Sequence, residues 1–134
     1  MSAPTEPDLD GGFSELIGVE DLGREDGLAR ARVAVGPKHM QPFGVVHGGV
    51  YSTLAETLCS RATYERVRDD GMLAFGQSIS ATFVRPIAEG HVNATARARH
   101  RGRTTWVWQV EITDDEDRLC GLVEMVVAVR EPRG

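Results

Sequence analysis

Residues 41–64 read QPFGVVHGGVYSTLAETLCSRATY, and the fold turns on how this stretch is read. Its opening, with Pro42 and Gly44, belongs to an extended loop. From Gly48 onward it carries the period of a helix. Val50, Leu54, Leu58 and Ala62 recur every four residues, and Tyr51, Ala55 and Cys59 flank that apolar stripe. Ala, Leu and Glu favour helix, and no proline interrupts the run. The pattern predicts a helix from about Gly48 to Arg68, closed by RDDG at 68–71 with Gly71 as the break.

Upstream, Phe13 to Gly18 predicts a short helix or turn. LARARVAV at 28–35 alternates Leu28, Arg30 and Arg32 with Ala29, Ala31, Val33 and Val35, as a strand with one wetter face does. GPKHMQPFG at 36–44 is the loop into the helix. Downstream the chain reads as strands: Leu73–Phe83, ended by RPIAEG at 85–90, then His91–His100, Thr104–Thr113 and Leu119–Val129. Arg101-Gly102 and DDED at 114–117 are turn candidates. The expectation is an α+β fold with one helix against an antiparallel sheet. A single helix cannot cover both faces of five strands, so the sheet curls round it or packs its other face on a partner. Trp106 and Trp108 share a strand face, either as core or as a contact with another copy.

With 134 residues, of which 41% are hydrophobic and 15 are glycine, the chain predicts a single domain. We place that domain at 13–130, with a polar disordered tail over 1–12 and a short tail over 131–134. A site in so small a domain is built from few elements or shared with a second copy. The 20 acidic and 15 basic residues give a net charge of -5, which argues against a general binder of nucleic acid or anionic membranes. Cys59 and Cys120 form no CxxC pair and read as reduced, buried thiols. The first residues lack the apolar run of a signal peptide, and no stretch nears the roughly 20 apolar residues of a spanning helix. A cytoplasmic location is expected. There is no HExxH motif, and His39, His47, His91 and His100 lack the spacing of metal ligands, so no metal is expected.

Two features of the opening stretch bear on chemistry. His47-Gly48-Gly49 sits where loop becomes helix, and the first turn of a helix offers unpaired N–H groups and positive dipole charge. Two glycines let another group come close, so the turn suits a carbonyl or oxyanion, or simply makes a tight bend. Glu56 follows Gly49 by seven residues and shares its helix face with Ser52, Thr53, Ser60 and Thr63, where it is either a solvated residue or a placed one. Seven residues rise roughly 10 Å, while a reacting pair must come within about 3–3.5 Å. One helix therefore serves poorly as both ends of a site. An antiparallel second copy would set Glu56 of one chain opposite the Gly48/Gly49 turn of the other, giving two sites per homodimer.

VVHGGVYSTLAET, with FVRPIAEG and GRTTWVWQVEITD downstream, resembles the hotdog-fold acyl-CoA thioesterases of the phenylacetic-acid-pathway and Arthrobacter-type 4-hydroxybenzoyl-CoA kind. The likeness runs from about Phe13 to Val129. It implies a central helix wrapped by a curved antiparallel sheet of five or six strands, paired into dimers and often tetramers. It implies hydrolysis of an acyl-CoA thioester, with coenzyme A as part of the substrate and no separate cofactor. The acyl group would be aromatic, such as hydroxybenzoyl, phenylacetyl or dihydroxynaphthoyl.

Glu56 matches the family's catalytic carboxylate, as nucleophile or general base, and the N–H at Gly48 or Gly49 matches the group that polarises the carbonyl. Gln41 matches a polar loop residue that positions thioester or water. His47 matches the histidine that orders the turn or touches the thioester. Ser60 falls where relatives carry a small polar residue near the carboxylate. Phe43, Val50 and the 73–83 strand would help wall the acyl pocket. Arg97, Arg99, Arg101 and Arg103 alternate within RARHRGR, either as a solvated face, with Gly102 breaking the register, or as a phosphate grip. The resemblance points to Arg101, Arg103 and Thr104 as coenzyme A phosphate contacts, with Arg85 as a further candidate. The alternative is a non-catalytic acyl-CoA-binding protein of the same fold.

Overall fold

The computed structural model describes residues 8, 9 and 11–133. The tail expected over 1–12 falls largely outside the described residues, as does Gly134. The elements run α1 (Phe13–Ile17), β1 (Val19–Glu25), β2 (Leu28–Ala34), α2 (Gly48–Val67), β3 (Leu73–Phe83), β4 (His91–Arg101), β5 (Thr105–Thr113) and β6 (Leu119–Arg130). One-turn 3-10 helices over Pro37–His39 and Arg68–Asp70 lie upstream and downstream of α2. The strands form one antiparallel sheet in the order β1-β2-β4-β5-β6-β3, wrapped round α2 in the hotdog arrangement. No helix among the described residues is long and apolar enough to cross a membrane.

The core follows from strand alternation. On β5, Trp106, Trp108, Val110 and Ile112 are buried against the helix while Gln109 and Glu111 face outward. Ala29, Ala31, Ala94 and Ala96 on β2 and β4 are all buried. The two tryptophans are therefore core, stacked with ring centroids 6.0 Å apart. Trp108 Nε1–H donates to Thr63 Oγ1 at 2.9 Å, and Thr63 Oγ1–H donates to the Cys59 carbonyl at 2.8 Å. This buried chain leaves no polar group of the three unpaired.

Two expectations need correction, and one strand has no sequence signal of its own. Thr63 does not share the open face with Glu56, because it is fully buried beneath Trp108, whose indole N–H donates to it. The N-terminal half contains β1, a strand that the VEDLGRE segment does not announce. Its charged residues and its lack of alternation are those of a protected sheet edge. The register of the arginine run breaks at a bulge between Ala98 and His100, not at Gly102. Arg97 lies opposite Gln109 on the outer face, while Arg101 lies opposite Trp106 on the inner one.

Because β3 and β4 are not neighbours in the sheet, residues 84–90 cross over beneath the start of α2. The Val46 N–H donates to the Ile87 carbonyl at 2.8 Å, and the Tyr51 hydroxyl donates to the Arg85 carbonyl at 3.1 Å. β3 is left as an edge whose Phe75, Ile79 and Phe83 stay exposed.

Candidate active site

The loop before α2 is held by its own backbone. Gln41 N–H donates to the Val45 carbonyl at 2.9 Å, Met40 bridges Val46, and His47 N–H donates to the His39 carbonyl at 2.9 Å. His39 itself is buried. Its Nδ1 accepts the Gly36 N–H at 2.9 Å, which puts the proton on Nε2, and Nε2–H donates to the Ile17 carbonyl at 2.7 Å. His39 therefore ties α1 to the turn that starts α2, a structural role that its sequence context does not announce.

His47 occupies the N-cap of α2 in an extended conformation but makes no side-chain cap. The N–H groups of Gly48 and Gly49 donate to no described group. They remain free at the positive end of the helix. The two glycines have different reasons to be glycine. A Cβ on Gly48 would fall 2.4 Å from the Phe83 ring, so a side chain there must push that ring aside. A Cβ on Gly49 would meet only the His47 ring, at an ordinary 3.8 Å, so this chain's own packing does not require glycine there.

Glu56 lies farther along the exposed face of α2 and has neither a hydrogen bond nor an ion pair with any described residue. Ser60, one helical turn on, is half-buried. No thiol competes as nucleophile, since burial raises the pKa of both Cys59 and Cys120 and so disfavours their thiolates. Burial likewise pushes Tyr51 up to about 12, so its phenol stays protonated and keeps donating to Arg85.

The structure sorts the expected residues into groups. Gln41, Gly48 and Arg85 line one cleft of about 240 Å³, together with Tyr51 and Phe83. His47 and Gly49 line another of about 540 Å³, walled by Phe13, Leu16, Met40 and Val50. Glu56 and Ser60 line neither. Arg101 and Arg103 line a third cleft, of about 600 Å³, beside Arg66 and Val67 at the far end of α2.

Arg85 therefore stands at one end of the helix and Arg101 and Arg103 at the other. In Arg101 the guanidinium is already engaged, 2.5 Å from Asp26 and over the Trp106 ring, while Asp26 also pairs with Arg66 at 3.0 Å. The Thr104 carbonyl accepts from Val129 N–H and from Arg130. Arg103 is exposed and makes no ion pair with a described residue, which leaves it the better placed of the three to meet an anion. Gly76 on β3, which no local pattern singles out, rests directly against the Glu56 carboxylate.

Comparison with known proteins identifies the family of the chain. The family described as the Thioesterase superfamily matches residues 43–121. A 1,4-dihydroxy-2-naphthoyl-CoA hydrolase from Listeria monocytogenes is 37% identical over 122 residues, covering 91% of this chain and 98% of the relative. A proofreading thioesterase, EntH, from Cronobacter turicensis is 36% identical, covering 89% of this chain and 86% of the relative. The crystal structure of a thioesterase from Haemophilus influenzae superposes with a TM-score of 0.83 at 34% identity, covering 88% of this chain and 82% of that one.

Proposed function

The chain belongs to the thioesterase superfamily and is a thioester hydrolase acting on acyl-CoA, and from that premise we propose that Glu56 and the Gly48-Gly49 turn are the two working parts of its active site. The observation that carries this reading is the pairing of an uncapped helix start with an unpartnered carboxylate on the same helix. The thioester carbonyl oxygen accepts from the Gly48 or Gly49 N–H as negative charge builds on it. The Glu56 carboxylate attacks the carbonyl carbon, or takes a proton from the water that does. The carbon–sulfur bond then breaks and coenzyme A leaves as its thiol once the sulfur gains a proton; where Glu56 itself has attacked, water then hydrolyses the acyl–Glu56 anhydride to the free acid. Gln41 and His47 line the approaches to the turn and orient the substrate, Ser60 flanks the carboxylate, and Arg103 and Arg85 are the candidate phosphate contacts.

The separation along α2 supports a homodimer with shared sites. The exposed β3 edge, bearing Phe75, Ile79 and Phe83, is the surface we assign to the second copy. Pairing of two β3 strands would join the sheets and bring the two α2 helices side by side, antiparallel. A tetramer of two such dimers fits the family resemblance, and two free, buried cysteines fit a reducing cytoplasm.

The Listeria relative acts on a bicyclic aromatic acyl group, and the apolar cleft beside Gly49 lies within the about 300–1,000 Å³ of small-molecule sites. We assign an aromatic acyl group on that basis.

A panel of aromatic and straight-chain acyl-CoA thioesters, followed by thiol release, tests the assignment. Glu56→Gln should lower kcat by about 10²–10⁴-fold. Full activity in Glu56→Gln removes the carboxylate from the mechanism. Mixing Glu56→Ala chains with Gly49→Val chains should restore one site per heterodimer, and purified heterodimers without activity would refute the shared site.

A further inference from the structure

Glycine in a strand is usually justified by a left-handed backbone, a bulge, or the close approach of a ligand or another main chain. The φ of Gly76 is not among the positive ones, and what crowds it is the tips of two flexible side chains. A Cβ built on Gly76 would lie 2.7 Å from Glu56 Oε2, 3.2 Å from Glu56 Cδ and 2.7 Å from Met125 Cε. The register of β3 against β6 runs Gly76 opposite Val127 and then Ser78 opposite Val126, so Gln77 is the extra residue of a bulge. The glycine beside that bulge is where the strand meets the carboxylate of α2.

A methyl group placed there meets two side-chain tips: the Glu56 carboxylate, which is exposed and free to swing aside, and the end of the buried Met125. It disturbs the position of the carboxylate. With no hydrogen bond or ion pair to hold it, Glu56 is located by this contact with β3.

We infer that Gly76 is a positioning residue for thioester hydrolysis, its missing side chain reserving the place on β3 where the Glu56 carboxylate rests. The inference builds on the assignment of Glu56 to the reaction. It assigns Gly76 to the chemistry rather than to the fold.

Steady-state kinetics of Gly76→Ala on an acyl-CoA substrate, with Tm and solution mass measured on the same protein, test it. The expected result is a fall in kcat approaching 10²-fold, as displacements of about 1 Å produce. KM should stay within a few-fold, the mass should be unchanged, and Tm should hold or rise. Wild-type kcat in Gly76→Ala overturns the inference, and so does a loss of kcat accompanied by a lower Tm or a changed mass.

Met125 is the other atom in the way. Relative to Met125→Leu alone, Gly76→Ala/Met125→Leu should stay impaired. Recovery in the double variant would mean that the thioether, not the carboxylate, had been displaced, and would overturn the inference. Glu56→Gln separates this failure from that of the underlying assignment. If Glu56→Gln is inactive and Gly76→Ala is unimpaired, only the role of Gly76 falls. If Glu56→Gln is active, both fall.

Discussion

Gly48 and Gly49 are adjacent and chemically identical, yet their surroundings set them different tasks. Gly48 is pressed by the Phe83 ring, which itself packs edge-on against Tyr51 at 5.6 Å between centroids. Gly49 is exposed, with only the His47 ring near the place a Cβ would take. Alanine at the two positions should separate fold from function. Gly48→Ala should lower Tm, because Phe83 must leave its place against Tyr51. Gly49→Ala should keep or raise Tm, since alanine suits a helix better than glycine, and should lower kcat/KM by crowding the thioester. Differential scanning calorimetry with a thiol-release assay checks both. Equal effects in the two variants would remove the distinction.

At the scale of elements, α2 owes its place to the strands it covers. The Trp108–Thr63–Cys59 chain fastens its C-terminal half to β5 through a buried side-chain hydrogen bond. Thr63→Val keeps the shape of the side chain but leaves the indole N–H without an acceptor. Urea denaturation should show a loss of about 1–3 kcal/mol. An unchanged midpoint would mean that Trp108 finds another acceptor.

The same elements show what a one-dimensional reading can reach. β5 is legible because large apolar residues recur at every second position, Trp106, Trp108, Val110 and Ile112, and α2 is legible because Val50, Leu54 and Leu58 keep a helical period. β1 is not legible, since it shows no apolar alternation and carries Glu20, Asp21 and Arg24. The bulge that turns Arg97 and Arg101 to opposite faces leaves no mark in RARHRGR. Glu56 and the HGG turn are visible because they belong to one local stretch. Gly76 is not, because its significance lies in a contact between β3 and α2 that forms only in the folded chain.

At the scale of the whole molecule, the proposed dimer makes assembly a condition of activity. Ile79 is 42% exposed and stands midway along the β3 edge. Ile79→Lys places a charge where the second copy would pair, a device that natural edge strands use to stay unpaired. The variant should run as a monomer by light scattering, keep its far-ultraviolet dichroism and lose thiol release. A fully active monomer would overturn the shared site while leaving Glu56 in place.

The strand order also governs how the chain comes into being. β3 is hydrogen-bonded only to β6, the last strand to be synthesised. On the ribosome, α2 and β3 emerge well before β6 exists, so Phe75, Ile79 and Phe83 must wait beside a helix that has no finished sheet to lie in. Such distant pairing slows folding and lengthens the time during which apolar strand edges are open to other chains. A protein truncated before Leu119 would lack the strand that joins β5 to β3, and its central sheet would end on a row of unpaired groups at β5 rather than on the β3 edge.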